Sequence, residues 1–468
     1  MLKDINNAEN FRALGHELID IIADYLKGVK GEEKVYPYLE PDKALDFWRK
    51  DFENDDLDVM SFFKKTINMS NKLHHPKYMG HQVSAPAPIT ALASMVTSIM
   101  NNGGAVYEMG MVNNPIEEII NEYLAQKIGF GKTGGGFLTS GGTLANLTAL
   151  LAARANKTEV WENGTEKKLG IMVSEEAHYC VDRAARIMGL GSEGIIKIPV
   201  DVNFRMKTDL LEKYFENAKN AGIEVFAIVG SSCATSTGNY DDLVSIGAFA
   251  QKHKLWFHVD GAHGGAVVFS EKHRHLVKGI EKADSVIIDW HKMLLNPALI
   301  TSVIFKNSDD AYGTFHQKAQ YLWSNAQSKD WFNIGKRTFE CTKIMMGVKI
   351  YSIIKAHGKS IFGEHVDYLY GVGHAFANLI SSNGAFELAT QPDSNIVCFR
   401  IKNATNEQNS AIRQKILEDG KFYIVQTNLN GEVFLRVSIM NPDTRIEDLE
   451  QLLEEIMKVN LNLFGQKD

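Results

Sequence analysis

Between about residues 71 and 350, short apolar runs alternate with helix-period stretches and glycine-rich turns, and this alternation limits the fold more than any other feature. The runs Gly170–Ser174, Val225–Val229, Leu255–Val259 and Ser285–Ile288 are too short for helices and nearly uninterrupted in hydrophobicity. Strands of that kind, separated by helical patterns, predict an α/β layer with a mainly parallel central sheet. Two later runs, Ile396–Ile401 and Val433–Val437, precede a closing helix over Ile446–Val459, with Thr444 placed to cap it. They predict a smaller C-terminal α+β domain. Before the alternation, residues 1 to 70 are charged and helical in period, with Phe11, Leu14, Leu18, Ile21 and Ile22 on one face. The expected division is a helical arm over 1–70, a large domain over 71–357 and a small domain over 358–468.

Composition narrows the function classes. The 468 residues carry 50 Lys+Arg against 57 Asp+Glu, a net charge of −7, which lacks the basic footprint of a nucleic-acid binder. Hydrophobic residues make up 44%, enough to bury a large core. The N-terminal stretch reads as an amphipathic helix rather than a secretory leader, and no apolar run approaches the length of a membrane span. Cys180, Cys233, Cys341 and Cys398 are scattered without CxxC pairing. The expectation is a reduced, cytoplasmic protein with no metal site, no nucleic-acid partner and no membrane partner.

Ligands in open α/β sheets bind beyond the carboxyl ends of strands, so the residues after each run carry the chemistry. After Phe137-Leu138-Thr139 come Ser140, Gly141, Gly142 and Thr143, then an apolar helical pattern. Such a loop can present backbone N–H groups and hydroxyls to an anion, though it is neither a Walker A loop nor a GxGxxG turn. Glu175-Glu176-Ala177-His178 follows the run Gly170–Ser174, and a hydroxyl-rich stretch containing Thr235 follows Val225–Val229. His258-Val259-Asp260-Gly261-Ala262-His263 closes the run from Leu255, and Asp289-Trp290-His291-Lys292 follows Ser285–Ile288. Each alone has a plain reading: a tight turn, a structural histidine, a capping aspartate, an exposed lysine. A lysine just past an apolar strand is also partly desolvated, with its pKa expected to fall.

Together, in this order, they are the set that pyridoxal 5'-phosphate needs. The loop would hold the phosphate, and His178 would stack on the ring. Asp260 would keep the ring nitrogen protonated, and Lys292 would form the Schiff base.

At these positions the chain resembles the group II pyridoxal-phosphate-dependent amino-acid decarboxylases. The resemblance rests on His75-Pro76-Lys77-Tyr78, Thr139-Ser140-Gly141-Gly142-Thr143 with Asn146, and Glu176-Ala177-His178. It continues through Thr235, His258 to Gly265, and His291-Lys292. It implies PLP-dependent transferase fold type I and a homodimer with active sites at the interface. The reaction it implies is decarboxylation of an L-amino acid to an amine and carbon dioxide, through the Schiff base on Lys292. Further implied roles are Ala262 beneath the ring and His291 near the phosphate, with His81 and Gln82 on the substrate side.

Departures from the family bear on substrate and outcome. Lys343 stands where an arginine associated with the substrate α-carboxylate is expected, and Asp289 replaces a common asparagine. Phe332 aligns with a loop tyrosine that protonates the carbon left when carbon dioxide departs, and phenylalanine has no proton to give. Tyr321 or His316 could supply it. Trp323 and Trp331 near the loop would suit an aromatic substrate, His81 and Gln82 a polar or acidic one. The alternatives are oxidative deamination to an aldehyde, an aminotransferase or lyase on the same fold, and a non-catalytic homologue.

Overall fold

The computed structural model describes residues 5–54, 57–315 and 329–465. Eleven strands are present among them: β1 (Gly135–Thr139), β2 (Lys168–Ser174), β3 (Ile195–Ile198), β4 (Ile223–Ser231), β5 (Trp256–Asp260), β6 (Ser285–Asp289), β7 (Thr301–Phe305), β8 (Phe386–Leu388), β9 (Ile396–Ile401), β10 (Val425–Leu429) and β11 (Glu432–Ser438). The chain divides into two compact units, one of residues 82–377 and 390–397, the other of residues 1–81, 378–389 and 398–468.

The larger unit carries a seven-stranded sheet in the order β1-β7-β6-β5-β4-β2-β3. β6, β5, β4, β2 and β3 run parallel, as the alternation predicts. β7 runs antiparallel to both its neighbours, β1 and β6. Every residue of β1, β5 and β6 is buried, because helices cover both faces of the sheet. On one face the helix Gly142–Lys157 offers Ala145, Ala149, Ala152 and Ala153 to a core that includes Phe137, Ile171, Val173 and Val229. Small side chains there let helix and sheet approach closely. An added methylene at such a site typically costs about 1–3 kcal/mol.

Sequence periodicity does not single out β3, β7, β8 or β10. The register of β7 nevertheless matters to the site. Thr301, its first residue, pairs with Thr139 on one side and Asp289 on the other. It therefore sits at the same sheet edge as the carboxyl ends of β1 and β6.

The smaller unit holds a four-stranded sheet, β10-β11-β9-β8. Its N-terminal and C-terminal segments share a core of Val35, Tyr78, Leu417, Tyr423 and Val425, with Tyr78 stacked on Tyr423 at 4.8 Å. The helix Ala8–Gly28 has no fully buried residue; Leu14, Leu18, Ile21 and Ile22 are half-buried and Phe11 is exposed. The closing helix runs Ile446–Phe464, and Arg445 rather than Thr444 is its N-cap. Thr444 does not cap because its hydroxyl donates instead to the carbonyl of Pro76, at 2.6 Å. No helix among the described residues is long and apolar enough to cross a membrane.

Candidate active site

A cavity of about 230 Å³ opens at the carboxyl ends of the parallel strands. Ser140, Gly141, Gly142, Thr143, His178, Thr235, Asp260, Ala262, His291 and Lys292 all line it, although they arise from segments spread over about 150 residues. The structure thus brings together every residue expected on the cofactor side. Asn146, Cys180, Ser231, Cys233, Ala234, Asp289 and Leu299 complete the wall.

The floor is set by one glycine. Gly141 has φ +109°, a left-handed conformation closed to most side chains, and it is the N-cap of the helix Gly142–Lys157. No side chain caps that helix. Its first N–H groups are therefore left to a ligand, and the helix dipole favours an anion there. Thr143 lies in the first turn, and the buried Thr139 hydroxyl just before the loop has no hydrogen-bond partner among the described residues. Ser140 donates to Glu340 at 2.7 Å.

Half-buried Lys292 and fully buried Asp289 form an ion pair, Nζ to Oδ2 at 3.0 Å. Thr301 donates to the other oxygen of Asp289 at 2.5 Å, which is the consequence of the β7 register. His291 Nε2 lies 3.7 Å from Asp289. The expectation that desolvation lowers the lysine pKa is overturned. Burial does pull it down, but the carboxylates of Asp289 and Asp260 outweigh burial and raise it. Asp289 is shifted the opposite way: burial pushes its carboxyl up, while Lys292 and then His291 carry it below its ordinary value.

Asp260 closes β5 and faces the cavity with both oxygens engaged. Oδ1 accepts from the N–H of Ala262 at 3.2 Å, and Oδ2 accepts from the Asn146 amide at 3.1 Å. His178 caps the helix Tyr179–Ile187, its Nδ1 accepting from the N–H of Cys180 at 3.3 Å. Burial lowers its pKa, Asp260 opposing, so a neutral ring carries its proton on Nε2. The thiol of Cys233 is pushed up to about 12 by burial, which keeps it a neutral wall group.

The substrate-side candidates are not in this lining. Lys343 is buried with its ammonium on Glu117 at 2.5 Å and on the Leu138 carbonyl at 2.7 Å. Glu117 also accepts from the N–H of Leu138, so the pair braces β1 from within. The sequence position suggested an arginine substitute; the side chain is instead committed to an internal ion pair. Gln82 has a buried amide nitrogen without a partner among the described residues. His81 lies in the smaller unit, tilted against Tyr423 at 5.7 Å, its pKa lowered by burial and by Arg436 and Arg413. Phe332 packs edge-on to Tyr107 and Trp331, and its carbonyl accepts from Asn114 at 2.7 Å. His316, Tyr321 and Trp323 lie outside the described residues.

Behind Lys292, His365 is buried, with Nδ1 3.0 Å from the Met293 carbonyl, and burial drives its pKa to about 4. The unfolded chain protonates this ring near its ordinary value of 6.5, the folded one only near 4. Unfolding therefore takes up a proton in that window, and stability falls as pH drops through it. His365→Leu is expected to lose less stability than wild type between pH about 7 and 5, by roughly 2 kcal/mol. Urea titrations of both proteins at the two pH values check this; parallel losses would refute it.

The chemistry of the donor set fits pyridoxal phosphate. An uncapped helix start and hydroxyls suit a phosphate, a buried carboxylate suits a pyridinium, and a half-buried lysine open to the cavity suits an aldehyde. Fold and site define a pyridoxal-phosphate enzyme of fold type I. A family model described as "Pyridoxal-dependent decarboxylase conserved domain" matches residues 44–402, and the chain belongs to that family. Its reaction is the PLP-dependent decarboxylation of an amino acid, which makes it a carboxy-lyase. The aspartate 1-decarboxylase of Aliivibrio fischeri is 31% identical over 444 residues, covering 83% of this chain and 80% of that protein. The acidic amino acid decarboxylase GADL1 of Mus musculus is 26% identical over 454 residues, covering 92% and 82%. Mouse CSAD matches in structure with a TM-score of 0.90 over 99% of this chain and 100% of that one; at 24% identity this shows the fold.

Some of this site leaves a sequence signal that single-motif reading passes over. Asn146 is four residues past Gly142, one helical turn, so it faces the same side as the loop. His258 is two residues before Asp260 and shares its face of β5. Nothing in the sequence marks Thr301, whose place depends on the antiparallel return of β7.

Proposed function

We propose that this protein decarboxylates an L-amino acid with an acidic side chain, working as a homodimer. The observation that carries the reading is the convergence of Lys292, Asp260 and His178 in one buried cavity above an uncapped helix start. The acidic class is supported by the relatives, an aspartate decarboxylase and an acidic amino acid decarboxylase among them.

When bound, pyridoxal phosphate supplies a carbonyl for the amine and an electron-withdrawing ring that takes up the electrons released with carbon dioxide. Ser140 to Thr143 and the first N–H groups of their helix would hold its phosphate. Lys292 would anchor it and yield to the incoming amine. Asp289, already paired with Lys292, steadies the lysine's charge until that exchange. Asp260 would face the ring nitrogen, while His178 and Ala262 would lie against the two ring faces. His178, neutral and with its proton on Nε2, would offer a donor rather than a second positive charge.

The test is a panel of L-amino acids scored for carbon dioxide and amine, with dissolved oxygen followed in parallel. Carbon dioxide and amine in equal amounts from aspartate or glutamate, without oxygen uptake, is the expected result. Release from aromatic substrates only would overturn the substrate class. Oxygen uptake matching turnover would establish the oxidative outcome that Phe332 suggests.

Support for the dimer comes from apolar side chains left open in the larger unit. On the helix Ile89–Met100, Leu92, Met95, Val96, Ile99 and Met100 are exposed, as are Met109, Met111 and Val112 after it. Large apolar side chains gathered in the open in this way mark an association surface. Sedimentation velocity is expected to show twice the monomer mass at micromolar concentration; a single monomeric species would count against it.

A further inference from the structure

We propose that His258 is a positioning residue for Asp260, acting through Asn146 in a one-way hydrogen-bond chain that starts at the Trp256 indole. The proposal rests on the pyridoxal reading of the site. The links are all short and buried. Trp256 Nε1 lies 2.8 Å from Ser285 Oγ, and Ser285 Oγ lies 2.8 Å from His258 Nδ1. His258 Nε2 lies 2.8 Å from Asn146 Oδ1, and Asn146 Nδ2 lies 3.1 Å from Asp260 Oδ2. His258, Ser285 and Asn146 are each at most 1% exposed, so no water substitutes for a missing link.

Chemistry at the two ends sets the direction. An indole N–H only donates and a carboxylate only accepts. Asp260 takes an Asn146 amide hydrogen, so the Asn146 oxygen faces His258 and must accept its Nε2–H; Ser285 then accepts from Trp256 and gives its O–H to the bare Nδ1. A neutral imidazole that accepts at Nδ1 carries its proton on Nε2 and donates it to the Asn146 carbonyl. The Asn146 amide hydrogens then face Asp260. Turning the Asn146 amide over would set oxygen against carboxylate and N–H against N–H. Burial supports the neutral imidazole by driving the His258 pKa to about 4, the charge of Asp260 and the backbone of Ser285 pulling the other way.

The fold explains why these groups meet. Trp256, His258 and Asp260 alternate along β5 and share one face of the sheet. Ser285 opposes His258 in the β5–β6 register. Asn146 comes from the first turns of the helix that begins at the anion loop. The charge facing Asp260 is that of Lys292, itself paired with Asp289, with His178 and Cys180 as neutral neighbours. A chain polarised toward a carboxylate strengthens each link in it and holds that carboxylate as an oriented acceptor. An acceptor so held keeps a proton on the ring nitrogen it faces.

The experiment uses holoenzyme reconstituted with pyridoxal phosphate carrying a ¹⁵N ring nitrogen, whose chemical shift reports protonation. For His258→Leu the resonance is expected to move toward the unprotonated value. Its kcat is expected to fall roughly 10- to 100-fold while KM changes by less than about threefold. In His258→Gln the amide can accept from Ser285 and donate to Asn146, so the shift and most of kcat are expected to return. A folded His258→Leu holoenzyme with wild-type shift and kcat overturns the proposal. Should His258→Leu not fold, Ser285→Ala cuts the chain one link further back; a smaller displacement in the same sense supports it, and none overturns it. Wild-type protein that takes up no labelled cofactor would instead refute the pyridoxal reading itself.

Discussion

Replacing Lys292 with alanine is expected to abolish turnover, by at least about three orders of magnitude, together with the visible absorbance that a lysine-bound cofactor gives. The lysine is the one amine in the lining of the cavity, and Asp289 holds it in place at 3.0 Å. The same substitution has a second consequence. Asp289 is 2% exposed and would lose its strongest counter-charge, keeping only the Thr301 hydroxyl and His291 nearby. Removing one partner of a buried pair typically costs about 3–5 kcal/mol, so the variant should melt lower than wild type. Adding Asp289→Asn removes the stranded charge and is expected to recover part of that loss without restoring turnover. An unchanged visible spectrum in Lys292→Ala would defeat the assignment of the lysine.

Asp260→Asn should cut kcat roughly 10²- to 10³-fold while leaving cofactor binding measurable. The substitution keeps size and shape, so the backbone N–H of Ala262 still finds an oxygen. What it removes is the negative charge that would face the ring nitrogen. With that oxygen taken by Ala262, the substitution sets an amide N–H₂ against the Asn146 amide, which only donates in that direction. Stopped-flow measurement of the decarboxylation step separates this loss from slow product release. A near-normal rate for that step would show that charge at this position is not what drives the electron uptake.

Much of the active site can be read without coordinates because it is built from strand ends. A strand end is local: the apolar run, the glycine that follows and the functional side chain lie within a few residues of one another. Asp260 and Lys292 each close such a run, and the Ser140–Thr143 loop precedes an obvious helical pattern. The parallel order of the sheet then brings these ends to one edge, as it does in any open α/β layer. The groups that are hard to read act across the sheet rather than along it. Thr301 reaches Asp289 only because β7 enters antiparallel. Lys343 is the reverse case. Its position in the chain suggests a substrate ligand, yet the packing against Glu117 uses its charge to hold β1.

By itself, then, the sequence determined the α/β class from patterns a few residues long and, from five strand-end motifs taken in order, the cofactor and the lysine and aspartate proposed to face it. Only the tertiary structure decided their charge states and partners. Burial and distance in three dimensions set whether Lys292 is raised or lowered, whether His258 stays neutral, and which carboxylate holds which cation. Those are sums over neighbours far apart in the chain, and no local pattern carries them.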